Sequence, residues 1–179
     1  MNSYNILTND PSICAWGWAV ITLEGRILEK GCVKTEPDTK KKNLRKTDDR
    51  FRRITEINRV LLAAIIKHDV KYITSEAPHG SQSAVAAVMI GMTAGMIQTI
   101  ADTLDIPIEH YSEGEVKKFM LSKRAAVKNE MIQAVRERIS VHFTGTKYID
   151  EAVADALGVY LTAMASSPTL KAMKQIKMK

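Results

Sequence analysis

The sequence predicts an α/β protein with a mixed five-stranded sheet, three antiparallel strands followed by two parallel ones, flanked by helices. Three β-rich runs separated by turn residues open the chain. The later β-rich runs alternate with segments of helical periodicity. Strands joined by tight turns run antiparallel, whereas strands joined through helices run parallel, so the two patterns predict a mixed sheet covered on both faces.

Each element follows from its local pattern. Strands are expected where β-branched and aromatic residues lie between turn residues, at 4–9, 16–23, 27–34, 70–75 and 107–111. Helices are expected at 50–68, 81–101, 113–121, 125–142 and 148–166. Residues 35–49 are rich in charge and are expected to form an exposed loop. We therefore predict one domain at residues 1–166 and a basic tail at 167–179.

Composition limits the class of protein. The chain has 179 residues, 45% of them hydrophobic, and a formal charge of +6, which fits one compact domain and makes an acidic partner such as nucleic acid worth testing. Two cysteines, Cys14 and Cys32, cannot form a disulfide framework, and the first ten residues lack the pattern of a secretion signal. The expected location is the cytoplasm of a bacterium or of a virus-infected cell.

One segment, residues 81–101, carries no charged residue over 21 positions. That is nearly the length of a membrane span. Its polar residues, its abundance of alanine and the charged remainder of the chain argue against insertion. We expect instead a helix that is buried all round, either inside one subunit or across a dimer interface, where Gly91 and Gly95 allow close backbone approach.

Acidic residues stand at strand ends and on one helix face. Asp10 ends the first strand before Pro11, and Glu76 ends the fourth. Their simpler interpretations are a turn cap and an exposed strand end. Glu151 and Asp155 lie four residues apart, so they share a helix face and repel each other. Together the four carboxylates could bind Mg²⁺, or Mn²⁺ in its place, with two ions about 3.5 to 4 Å apart for phosphodiester hydrolysis.

Four stretches carry a resemblance to a known family. They are ILTNDPSICAWGWAVI, TSEAPHGSQSAVAAVMIGMTAGMI, SEGEVKKFMLSKRAAVKNEMIQAV and IDEAVADALGVYLTA. In this order they resemble the motifs of the RuvC family of Holliday junction resolvases, which have the RNase H-like fold. The resemblance covers residues 6–163.

The resemblance implies a homodimeric, Mg²⁺-dependent endonuclease that resolves four-way DNA junctions by paired symmetric nicks. Asp10, Glu76 and Asp155 match three catalytic, metal-binding carboxylates. Bacterial members place the fourth where this chain has Ala152, so Glu151, which resembles the arrangement of the chloroplast resolvases, is the expected fourth ligand and Asp150 the alternative. A junction has approximate two-fold symmetry, which an isologous dimer matches.

Basic residues would contact DNA phosphates rather than read sequence. Lys117 and Lys128 match a pair of lysines near the active site, and Lys128 is expected to take part in catalysis. His79 stands where bacterial members carry an aromatic residue that stacks near the crossover. The other expected DNA contacts form a rim at Lys118, Lys123 and Arg124 and a clamp at Lys40, Lys41, Lys42, Arg45, Lys46, Arg52 and Arg53.

Other functions are open at this point. The same carboxylates could cleave RNA–DNA hybrids, flaps or other branched DNA. Ala152 could mark a junction-binding protein that has lost one metal ligand. The Asp-Pro-Ser run followed by Gly17 is faintly similar to a phosphate loop of the sugar-kinase and actin-like fold, although the chain has room for only one of that fold's two lobes.

Overall fold

The computed structural model describes residues 4–38, 44–77, 79–123 and 128–177, without the side chains of Lys128, Asn129 and Lys177. These residues form a five-stranded sheet in the order β3-β2-β1-β4-β5. The strands are β1 (Asn5–Asp10), β2 (Ala15–Thr22), β3 (Ile27–Lys34), β4 (Val70–Glu76) and β5 (Ile108–Tyr111). The first three pair antiparallel, and β4 runs parallel to both β1 and β5. The predicted fold class is confirmed.

Six helices are present in the described parts of the chain: α1 (Lys46–Lys67), α2 (Ala84–Thr103), α3 (Glu113–Leu121), α4 (Lys128–Arg136), α5 (Lys147–Ser166) and α6 (Pro168–Lys177). Helix α1 begins four residues earlier than predicted, since Asp48 and Asp49 suit the first turn of a helix. Helix α4 ends at Arg136, before the predicted end at residue 142. Beyond it, Phe143 returns to the core and lies under the Arg136 guanidinium, 5.2 Å from the ring centre.

The sheet separates two hydrophobic cores because side chains alternate between its faces. Ile6, Ala19 and Tyr72 face helices α3, α4 and α5. On the other face, Trp16 and Trp18 belong to the core under α1 and α2. Both tryptophans are buried, and the indole N–H of Trp16 donates to Asn9 Oδ1 at 3.1 Å. This alternation determines which strand-end side chains point towards α5.

Helix α2 is largely exposed, so of the two expected alternatives, burial within one subunit is wrong and burial across a dimer interface stays a prediction. Four of its residues, Thr93, Ile97, Ile100 and Ala101, are buried against the domain. On the outward face, Val85 is 56% exposed and Val88 is 51% exposed. By length and composition α2 also meets the criteria for a membrane-crossing helix. Its packing against the core nevertheless makes it part of the folded domain, with an apolar face that none of the described segments covers.

The segment expected as a basic tail contains a packed helix. Helix α6 follows α5 directly, and its Leu170 is fully buried in the core shared with α5. At the start of α6, the Ser167 hydroxyl donates to Glu109 Oε1 on β5 at 2.9 Å. These contacts attach α6 to the same face of the sheet as α5.

Candidate active site at the carboxyl edge of the sheet

Two strand-end carboxylates lie side by side at the carboxyl edge of the parallel pair β1 and β4. Thr8 pairs with Thr74 and Asn9 with Ser75, so the register brings Asp10 beside Glu76. Thr8, two residues before Asp10, donates its hydroxyl to the Ala156 carbonyl of α5 at 2.6 Å. Because alternate residues of a strand share a face, Asp10 and Glu76 both point to the side of the sheet that α5 covers.

Helix α5 brings Asp155 to the same edge. The strand residue opposite Asp10 on β2 is Gly17. At Gly17 the helix comes so close that an added Cβ would lie 1.9 Å from the Ala152 carbonyl oxygen. Asp155 follows one turn after Ala152, at the border of this contact. A glycine in β2 therefore sets the distance between the sheet beside Asp10 and the helix that carries Asp155.

The carboxylates act on one another through space. Burial raises the pKa of Asp10 well above its ordinary value, and the negative charges of Asp155, Glu76 and Glu113 raise it further. Burial also raises the pKa of Glu76 to about 7, again with Asp155 and Glu113 contributing. His79 and Lys117 oppose this shift. Such mutually raised pKa values are typical of functional carboxylate clusters.

Glu113 is a member of this cluster that the sequence analysis did not select. It begins α3, where Ser112 and Glu115 form a capping box. It also forms an ion pair with Lys117, four residues further along the helix. The available sequence signal was this Glu-to-Lys spacing, which alone predicts a common surface pair. Its proximity to Asp10 and Glu76 depends on the pairing of β5 with β4.

Comparison with known proteins places this arrangement in a family. The sequence model of the family described as "Crossover junction endodeoxyribonuclease RuvC" matches residues 6–163. The chain belongs to the RuvC family. A relative with that description from Rhodopirellula baltica is 28% identical over 174 residues, which cover 94% of this chain and 91% of the relative.

Solved RuvC structures have the same fold. The Thermus thermophilus RuvC structure superposes with a TM-score of 0.69 at 21% identity and covers 96% of both chains. T. thermophilus RuvC in complex with a Holliday junction substrate gives a TM-score of 0.68 at 20% identity and covers 89% of this chain and 95% of its own. The expected family and its RNase H-like fold are thus confirmed.

The donor set of this RuvC-family chain suits a divalent cation. Carboxylate oxygens are the ligands that Mg²⁺ and Mn²⁺ prefer, and a cation would relieve the repulsion that raises the pKa values of Asp10 and Glu76. Among the described residues, no three His, Cys, Asp or Glu side chains already converge as a closed metal site. The centre is thus an electrostatically coupled group of carboxylates that would draw together around an ion.

Asp150, the alternative fourth ligand, already has a structural role. It is 6% exposed, and it accepts hydrogen bonds from the backbone N–H of Thr144 at 2.8 Å and of Gly145 at 2.8 Å. The Thr144 hydroxyl donates a third at 2.9 Å. Burial alone would raise the pKa of Asp150, but these hydrogen bonds lower it overall. Asp150 therefore anchors the loop before α5, and Glu151 stays the predicted fourth ligand.

A cleft of about 460 Å³ opens beside the carboxylates. Its walls are the loop after β1, the first half of α2, the segment after Glu76 and Arg53 of α1. His79 lies exposed at this cleft, and its Nδ1 is 3.1 Å from the Gly80 carbonyl oxygen. Through space, His79 opposes the rise in the pKa of Glu76. It also adds to the lowering of the pKa of Glu113, which comes mainly from the hydrogen bond to Lys117. The residue expected to contact DNA near the crossover therefore lies next to the acidic centre.

Arg53 was predicted to contact DNA, and this prediction is wrong because the side chain is buried. It is 4% exposed, and its guanidinium donates to Thr35 Oγ1 at 2.8 Å and to the Ile13 carbonyl at 3.1 Å. These bonds join α1 to the loop after β1 and to the end of β3. Arg53 was expected in a DNA clamp because it lies in a basic run, but its burial makes it an internal anchor.

The remaining basic candidates differ in their surroundings. Arg52 is paired with Asp49 at 2.6 Å and with Glu56 at 2.5 Å, and Lys123 is paired with Glu130 at 2.6 Å. Arg45 is exposed and paired with Asp48 at 2.7 Å, whereas Lys46 and Lys118 are exposed. The residues that lie outside the described structure are Lys40, Lys41, Lys42, Arg124 and the side chain of Lys128.

Proposed function

We propose that this protein is a structure-selective DNA endonuclease that resolves four-way junctions by paired symmetric nicks. The observation that carries the proposal is the grouping of Asp10, Glu76 and Asp155 at one edge of the sheet in a RuvC-family chain. The complex of T. thermophilus RuvC with a Holliday junction substrate supports the substrate class.

Different residues of the chain would bind the metal ions, position the scissile phosphate and contact the DNA backbone. Asp10, Glu76, Asp155 and Glu151 would hold two divalent cations, Mg²⁺ or Mn²⁺, which when bound supply an activated water and stabilise the leaving oxygen. Lys117, which is partly buried beside the carboxylates, would position the scissile phosphate, with Lys128 as its expected companion. His79 and the exposed basic residues would hold the neighbouring DNA backbone.

We also propose a homodimer formed through α2. The exposed stripe of this helix is small and apolar, with Val88, Gly91 and Gly95 on it. No atom of the described residues lies within 4 Å of a Cβ built on either glycine. A second copy of the same helix would cover this surface at close range and place two active sites in a symmetric pair. Such a pair fits the two opposing strands of a junction.

The deciding experiment is strand-resolved cleavage of an end-labelled, immobile four-way junction in Mg²⁺. Linear duplex, a flap and an RNA–DNA hybrid serve as competing substrates, and Asp155→Asn is the inactive control. We expect symmetric nicks on the junction alone, with no cleavage by the variant. Asp155→Asn and Asp10→Asn should still bind the junction, as tightly or more tightly, because each removes a negative charge beside the phosphates.

Other outcomes would replace the proposal. Cleavage of the hybrid or the flap in preference to the junction would leave the metal site in place but change the substrate. Tight junction binding without cleavage would identify a non-catalytic binding protein. A Glu151→Gln variant that retains full cleavage would remove Glu151 from the metal site. We expect the enzyme to act in the cytoplasm, where junction DNA is accessible.

A further inference from the structure

The acidic centre contains an ion pair between Glu113 and Lys117. Glu113 begins α3 two residues after Tyr111, the strand partner of Glu76. Helix α3 packs on α5 through Val116, whose Cγ1 would lie 3.2 Å from a Cβ built on Gly158. Lys117 follows Val116, and Asp155 lies one turn before Gly158. Lys117 is thus close to Asp155, with Glu113 near Glu76.

Lys117 is attracted to three carboxylates but is bonded to one of them. Its ammonium donates to Glu113 Oε1 within the helix. The hydrogen bond to Glu113 is the largest cause of the raised pKa of Lys117, and the charges of Asp155 and Glu76 add to it. The order of Glu before Lys at a spacing of four is the favourable one on a helix. Without Glu113, the remaining attraction would draw Lys117 towards Asp155 and Glu76.

A lysine bonded to a metal-binding carboxylate competes with the cation for the same oxygen atoms. We propose that Glu113 is a positioning residue whose ion pair holds Lys117 away from Asp155 and Glu76, so that both carboxylates stay available to a divalent cation. The inference rests on the proposed function, since it assumes that Asp155 and Glu76 bind the ion. It assigns Glu113 an effect on the metal site that acts through Lys117.

The test is a double-mutant cycle on Mn²⁺ binding to the full chain without DNA, measured by calorimetry. The four proteins are the wild type, Glu113→Gln, Lys117→Met and the double variant. We expect Glu113→Gln to bind Mn²⁺ several-fold more weakly. Removing Lys117 should then raise Mn²⁺ affinity at least fivefold more in the Glu113→Gln background than in the wild type.

Equal gains in the two backgrounds would overturn the inference, because simple addition of charges predicts equal gains. A double variant no better than Glu113→Gln would also overturn it and would make Glu113 a ligand itself. Glu115→Gln is the matched control, because it removes a charge from the same turn while glutamine still completes the capping box. We expect this control to bind Mn²⁺ like the wild type.

The variant Asp155→Asn distinguishes a failure of the proposed metal site from a failure of the role proposed for Glu113. If Asp155→Asn leaves Mn²⁺ affinity unchanged, the proposed metal site itself fails. If Asp155→Asn weakens binding but the cycle shows equal gains, the metal site stands and only the role of Glu113 fails. Thermal unfolding monitored by circular dichroism verifies that each variant is folded before its affinity is compared.

Discussion

Gly17 of the sheet lies directly against the backbone of Ala152 in helix α5: a Cβ on Gly17 would lie 1.9 Å from the Ala152 carbonyl oxygen and 2.4 Å from the carbonyl carbon. The contact lies between Asp10, the strand partner of Gly17, and Asp155, one turn along the helix. The backbone of α5 cannot give way locally, since Ala152 and Ala156 are buried against the sheet. The position of Asp155 relative to Asp10 therefore depends on residue 17 being a glycine, which has no Cβ.

Gly17→Ala should both destabilise the fold and abolish cleavage. The methyl group would overlap backbone atoms, so α5 must move outwards, and overpacking of this kind costs about 3 kcal/mol or more. Urea unfolding followed by circular dichroism measures the loss, and junction cleavage measures the displacement of Asp155. Gly114→Ala is the control, because no atom in the described part of the chain lies within 4 Å of a Cβ there. Wild-type stability of Gly17→Ala would show that the contact can relax.

The raised pKa of Glu76 predicts how stability depends on pH in the absence of metal. Its pKa is about 7 in the folded protein against an ordinary value of 4.5. A carboxyl with a raised pKa favours the folded state while it is protonated, so stability falls as pH rises from about 4.5 to about 7 and then levels off. The contribution of Glu76 is up to about 3 kcal/mol.

Urea midpoints measured in EDTA from pH 5 to pH 8 test this dependence. Glu76→Gln should flatten the curve, although Asp10 has a shift of the same sign and leaves part of the slope. Mg²⁺ should restore stability at pH 8, where the carboxylates are charged, and should do so less at pH 5. An unchanged slope in Glu76→Gln would mean that Glu76 has an ordinary pKa.

Local pattern was sufficient to predict much of this molecule, because strand ends and helix faces are local properties. Asp10 and Glu76 were selected because each ends a strand, and parallel pairing of β1 with β4 brings two such ends together. Glu113 was missed because its proximity to them comes from the neighbouring strand pair, β4 with β5. No pattern within α3 distinguishes Glu113 from an ordinary surface residue.

Charge and hydrophobicity predicted the exposure of side chains less reliably than strand ends predicted the position of the carboxylates. Arg53 and Arg45 both belong to a basic stretch, yet the turn of α1 that carries Arg53 faces the β1–β2 loop. Conversely, the absence of charge in α2 predicted burial, but one subunit covers only the side of this helix that carries Thr93, Ile97 and Ile100. Which residues another element covers is a tertiary property that a one-dimensional pattern does not contain.

Arg53 and Arg45 should therefore respond differently to substitution by alanine. Arg53→Ala leaves Thr35 and the Ile13 carbonyl without their buried donor, so we expect a loss of about 3 kcal/mol of stability. Arg45 is exposed, so Arg45→Ala should leave stability nearly unchanged. If Arg45 contacts a phosphate, its removal should reduce the slope of log affinity against log salt by about 0.9. Equal stability of the two variants would contradict the anchoring role of Arg53.

The proposed dimer predicts that one substitution, Gly91→Leu, preserves or raises the stability of the subunit but weakens dimerisation. A leucine at Gly91 meets open space among the described residues of one subunit, and it suits a helix better than glycine by about 0.8 kcal/mol. Gly91→Leu should therefore preserve or raise the unfolding temperature of the subunit. If two α2 helices meet at this stripe, the same side chain holds them apart, so sedimentation velocity should show a shift from dimer to monomer. Paired nicking of the junction should then become independent single nicking.

Gly114→Leu, at another exposed glycine, is the matched control and should stay dimeric. A Gly91→Leu protein that is still dimeric at micromolar concentration would place the interface on a different surface.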